Sequence, residues 1–85
     1  MAGPRMTDPL PDPDESLDSL GLFCPVPIWE TAKRVRSMLP GQIIEVFSDD
    51  PGVKTDFPLW CSRTGNTLLT ISEENDVYRA LIRKE

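Results

Sequence analysis

The sequence predicts an α+β domain, a two-layer sandwich in which two helices cover one face of a four-stranded mixed sheet. Three observations lead there. Two segments place apolar residues at helical steps, and four shorter ones carry the β-branched and aromatic residues of strands. The turn residues between them set the order β-α-β-α-β-β. With 85 residues, 39% of them hydrophobic, the chain can build one small core and no second domain.

Residues 1–15, MAGPRMTDPLPDPDE, precede the first element. Pro4, Pro9, Pro11 and Pro13 oppose helix and sheet, and few apolar groups offset the cost of ordering. A disordered acidic, Pro-rich leader is expected over 1–15, with an interaction tail as the alternative reading, and the folded domain over 16–85. Ser16 to Leu20 alternates as a short strand anchored by Leu17 and Leu20. Gly21 to Phe23 connects it to Cys24-Pro25-Val26-Pro27, which opens a helix. Ile28, Ala32, Val35 and Leu39 form its expected apolar face. Glu30 and Arg34 are spaced for an i,i+4 ion pair, and Pro40-Gly41 ends the helix.

Gln42 to Ser48 is the strongest strand, with Ile43, Ile44, Val46 and Phe47. Asp49-Asp50-Pro51 then starts a second helix, Asp50 as its cap and Pro51 at its first position. Val53, Phe57, Trp60, Cys61 and Thr64 follow helical spacing. Pro58 inside that pattern predicts a kink or a split near Phe57, with Asp56 recapping the helix after it. Gly65-Asn66 ends the segment. Thr67 to Glu73 and Val77 to Arg83 are strands joined by a hairpin loop at Glu74-Asn75-Asp76. The first two strands are expected to be parallel through a right-handed crossover, and the last two antiparallel.

The absence of histidine excludes Ser-His-Asp and Cys-His catalysis, HExxH sites and His-based zinc sites. The net charge is −5, of which the leader supplies −3, so the domain itself is nearly balanced. That balance, without a basic-aromatic platform, argues against direct nucleic-acid binding. Residues 1–15 lack the apolar run of a signal peptide, and no stretch approaches the ~20 apolar residues of a membrane span. Two cysteines rule out a disulfide scaffold and suit free thiols in a reducing, cytoplasmic compartment.

Cys24 is the leading candidate for chemistry. Pro25 and Pro27 lie where a missing N–H costs a helix little, so both shape and stiffen its entrance. Cys24 then falls at or near the N-cap, where free backbone donors and the positive end of the helix dipole favour a thiolate. The bland alternative is a small apolar residue that begins a helix. Proline at position 27 excludes a CxxC redox pair.

The run Leu17-Asp18-Ser19-Leu20-Gly21-Leu22-Phe23-Cys24-Pro25-Val26-Pro27 resembles the LDxxGxxCPxP signature of the TusA family, also called SirA-like or YedF-like. Pro40-Gly41, Asp49-Asp50-Pro51 and Asp56-Phe57-Pro58 continue the likeness, which covers residues 16–85. The resemblance implies a β-α-β-α-β-β sulfur carrier whose Cys24 accepts sulfane sulfur as a persulfide. It implies a cysteine desulfurase or a rhodanese as donor and an acceptor protein downstream. The implied settings are tRNA thiolation, molybdenum-cofactor metabolism or sulfur oxidation. It implies no bound cofactor and no metal, and a covalent carrier more than a stand-alone enzyme.

Other residues have simpler explanations. Cys61, beside Trp60 on the apolar face, is expected to be a buried core thiol. Asp49 and Asp50 could be a carboxylate pair for acid–base or metal chemistry, but helix capping explains them more simply. Lys33, Arg34, Arg36, Lys54 and Arg63 are a solvated face or a cationic rim for an acidic partner. Trp29 either packs under the loop or anchors a partner. Two other functions fit the same residues. A non-catalytic binding or regulatory module would not need Cys24. A thiol redox sensor would join Cys24 to Cys61.

Overall fold

The computed structural model describes residues 11–85. Four strands and two helices follow in the expected order: β1 (Glu15–Asp18), α1 (Val26–Arg36), β2 (Ile43–Ser48), α2 (Val53–Thr64), β3 (Thr67–Glu74) and β4 (Val77–Arg83). The sheet order is β1-β2-β4-β3. β1 and β2 are parallel, and β4 pairs antiparallel with both β2 and β3. The two helices lie on one face of this mixed sheet, so the expected architecture is the observed one.

Period-two alternation decides which side chains meet the helices. Ile44, Val46 and Ser48 of β2 and Tyr78, Ala80 and Ile82 of β4 are buried on the helix side. Leu17 of β1 joins them, and Val35, Val53, Phe57 and Cys61 close the core from the helices. On the opposite face Leu81 is fully buried, and Arg79 and Glu45 form an ion pair at 2.5 Å. The β3–β4 hairpin turns at Asn75 and Asp76, whose φ values of 55° and 64° are those of a type I′ turn.

Several boundaries differ from the sequence expectation, each for a local reason. The expected leader falls partly outside the described residues, at positions 1–10. Its last residues meet the sheet: Asp14 N–H donates to Ile43 O at 2.7 Å, and Asp14 Oδ2 accepts from Ile43 N–H at 2.8 Å. β1 therefore starts at Glu15, ahead of Ser16. It stops at Asp18, because the Leu20 N–H turns back to Asp18 Oδ1 at 2.9 Å. Leu20 itself is exposed.

The buried face of α1 is Pro27, Thr31 and Val35, with Met38 just beyond the helix. The expected stripe is one residue out of phase. Ile28 and Ala32 are half-buried, and Leu39 is 66% exposed. Regular helix ends at Arg36, before Pro40-Gly41, as Ser37 and Met38 N–H groups donate to Arg34 and Val35 carbonyls. Thr31 tolerates burial because its hydroxyl donates to Pro27 O at 2.8 Å. The Glu30–Arg34 pair does not form. Glu30 meets Lys33 at 3.6 Å, and Arg34 reaches Glu15 of β1 at 3.1 Å.

α2 is one helix through Pro58, without the expected split. Its N-cap is Gly52, with no side-chain cap, in place of the expected Asp50; Asp50 Oδ1 accepts the Gly52 N–H at 2.9 Å in the turn before the helix. Pro51 lies in that turn, and regular helix begins two residues later, at Val53. Gly65 ends the helix in the left-handed conformation, φ 78°.

Candidate functional site

Cys24 is exposed, in the loop between β1 and α1, and the Cys24–Pro25 peptide is cis. Two carboxylates of the β2–α2 loop tie this loop down. Asp49 Oδ1 accepts the Gly21 N–H at 3.1 Å, and Asp50 Oδ2 accepts the Cys24 N–H. Because Asp50 also holds Gly52, one side chain joins the cysteine loop to the start of α2. The Ser48 hydroxyl fixes the Asp50 backbone in turn, accepting its N–H at 3.1 Å. Cys24 rests directly on Gly52. A Cβ at that glycine would lie 3.1 Å from Cys24 Cβ and 3.4 Å from its Sγ.

The sulfur itself donates a hydrogen bond to Asp56 Oδ2, in the first turn of α2. This contact reverses the expected thiolate. The Asp56 hydrogen bond, desolvation, and the negative charges of Asp56 and Asp50 together push the Cys24 thiol up to about 11. The start of α1 offers nothing to oppose them. Pro25 and Pro27 have no N–H, the Val26 N–H donates to Phe23 O, and the Ile28 and Trp29 N–H groups donate to Pro25 O. Pro25, not Cys24, is the capping residue of α1. The resting site is a hydrogen-bonded thiol.

Pro25 and Asp56 also line a shallow cleft of about 180 Å³ between the helices, with Ile28, Leu59, Trp60 and Arg63. Phe23 (77% exposed), Trp29 (60% exposed) and Leu22 add apolar surface on the cysteine loop and the first turns of α1. Trp29 therefore does not pack under the loop.

A search of known families matches residues 15–84 to the one described as sulfurtransferase TusA. The chain belongs to the TusA sulfurtransferase family. Among solved structures, a crystal structure of the SirA-like protein from Desulfitobacterium hafniense superposes with a TM-score of 0.72 at 20% identity. That match covers 84% of this chain and 99% of the other, and it shows a shared fold.

Of the residues singled out from sequence, Cys24, Pro25 and Pro27 lie together at the start of α1. Cys61 is apart from them, buried in the core, where desolvation pushes its thiol up to about 11. The five basic residues do not form one rim. Lys33 and Arg34 are paired with carboxylates, and Lys54 lies 5.7 Å from the Tyr78 ring centroid. Arg63 alone among them lines the cleft beside Asp56. Sequence reasoning missed the contacts of Asp50, Gly52 and Asp56 with Cys24. The sequence favours a capping role for Asp50 and Asp56, although both belong to the landmarks Asp49-Asp50-Pro51 and Asp56-Phe57-Pro58.

Proposed function

We propose that this protein is a sulfur carrier that takes up sulfane sulfur as a persulfide on Cys24 and relays it to an acceptor protein. The observation that carries the reading is an exposed thiol, held at the tip of a tied-down loop, in a chain of the sulfurtransferase family. Cys24 attacks the outer sulfur of a donor persulfide, and an acceptor thiol later attacks the sulfur it holds. Pro25 and Pro27 act by shaping the helix start. A cysteine desulfurase or a rhodanese is the donor class, and the work takes place in the cytoplasm. Thiolation of tRNA, molybdenum-cofactor metabolism and sulfur oxidation remain the candidate pathways. Among the described residues no helix is long and apolar enough to cross a membrane. The redox-sensor alternative is disfavoured because Cys61 is buried in the core while Cys24 is exposed.

Intact mass spectrometry tests the proposal. Reduced protein is incubated with a cysteine desulfurase and cysteine, or with a rhodanese and thiosulfate. Wild type and Cys61→Ser are expected to gain one sulfur that dithiothreitol removes, and Cys24→Ser is expected to gain none. No gain from either donor would leave the binding-module reading in its place.

A further inference from the structure

We propose that Asp56 is the catalytic proton acceptor for Cys24, taking the thiol proton as the sulfur attacks an S–S bond. The proposal deepens the carrier reading, and its sulfur-transfer form rests on that reading. The geometry carries it. Asp56 Oδ2 is the hydrogen-bond partner of Cys24 Sγ, so the group that would receive the proton is already in contact with the sulfur. No histidine exists to do this work, and the first turn of α1 has no free donor to stabilise a preformed thiolate. A base in contact with the thiol gives it a route to attack that does not wait for free thiolate. The second facing carboxylate, Asp50, is committed to the Cys24 and Gly52 N–H groups, whereas Asp56 meets the sulfur itself.

The step balances without an external oxidant or reductant. Cys24 Sγ bonds to the outer sulfur of the donor persulfide, and the donor's own S–S bond breaks. The electron pair leaves with the donor cysteine. The Cys24 proton passes to Asp56 and from there to the departing donor thiolate. The products are a Cys24 persulfide and a donor thiol, and the sulfane sulfur keeps its oxidation state. On discharge the acceptor's thiol proton returns by way of Asp56 to Cys24 Sγ.

The charged groups that face the sulfur are Asp56, from α2, and Asp50, from the loop before it; Arg63 lines the cleft beyond Asp56. A pH profile separates proton transfer from simple charge repulsion. Full-length protein is reacted with a neutral dipyridyl disulfide, which requires the same attack on an S–S bond and no sulfur-carrying function. The first equivalent of released pyridinethione is followed from about pH 6 to about pH 9. Wild type is expected to level off towards pH 6. Asp56→Asn should keep falling about tenfold per pH unit, because only free thiolate reacts, and should be at least about tenfold slower than wild type near pH 6. Near pH 9 the two profiles should converge or cross. A variant faster than wild type at every pH would make Asp56 only a repelling charge and overturn the proposal. The solvent deuterium effect on wild type supplies a reading that needs no variant. Slower reaction in D2O near pH 6 is expected, and no slowing would overturn the proposal. Normal exchange in a protein that never gains sulfur from a desulfurase or rhodanese would refute the carrier reading alone.

Discussion

At the scale of single residues, the site depends on how closely Cys24 approaches Gly52. Gly52 has helical dihedrals, φ −60° and ψ −22°, so an alanine there would ordinarily be tolerated. The space is what is tight, with Cys24 Cβ, Asp50 Oδ1 and Cys24 Sγ all within 3.4 Å of an added Cβ, so these neighbours must give by a few tenths of an ångström. Gly52→Ala is expected to displace the cysteine loop and to cost about 1–2 kcal/mol by overpacking, read from urea denaturation. It should also lengthen the Cys24–Asp56 contact and slow the neutral-pH disulfide exchange of Cys24. An alanine variant as stable and as reactive as wild type would show that the loop moves aside freely. Cys24 itself was legible as the reactive residue from Cys-Pro-Val-Pro. Its ionisation was not, because the groups that control it lie 26 and 32 residues further along the chain. No local spacing rule connects a cysteine to partners that distant.

At the scale of elements, one carboxylate couples the β1–α1 loop to α2. Hydrogen bonds from the Cys24 and Gly52 N–H groups hold the Asp50 carboxyl below its ordinary value of 3.8. A group depressed on folding stabilises the native state fully above its unfolded pKa, and this support fades as pH falls through the folded value. The advantage of wild type over Asp50→Ala in urea midpoint is therefore expected to be full above about pH 5 and to shrink steadily in acid below about pH 4. Comparing the two proteins isolates this group from Glu85, whose carboxyl is likewise lowered, by Thr67 and Arg83. A constant difference across that range would mean that Asp50 acts by shape and not by charge. The elements themselves were readable where packing agrees with local pattern, as in Ile43-Ile44-Glu45-Val46 and in the last hairpin. The face of α1 was misread because its last apolar contact, Met38, follows a helix that has already ended at Arg36. The kink or split expected near Phe57 gives no break in the helix: α2 runs from Val53 to Thr64 through Pro58, with Phe57 and Cys61 on either side buried in one core.

At the scale of the whole molecule, a small domain has little stability to spare. Folded domains hold about 5–15 kcal/mol in total, and one of 85 residues belongs near the lower end. Phe57 is 1% exposed and packs where α2 meets the sheet. Phe57→Ala is expected to cost about 3–5 kcal/mol, enough to leave much of the protein unfolded at moderate temperature, as thermal denaturation would show. A loss under about 1 kcal/mol would mean that the core closes over the cavity.

The Asp56 contact has a consequence for the chain before it folds. An unfolded Cys24 ionises as an ordinary thiol, near 9.0, and folding moves it to about 11. At neutral pH the folded protein therefore carries less free thiolate at Cys24 than the unfolded chain. Completing the β1–α1–β2–α2 unit is what brings Asp50 and Asp56 to the sulfur. A reagent that reacts only with free thiolate and cannot use Asp56 is then expected to modify the folded protein more slowly than the unfolded chain.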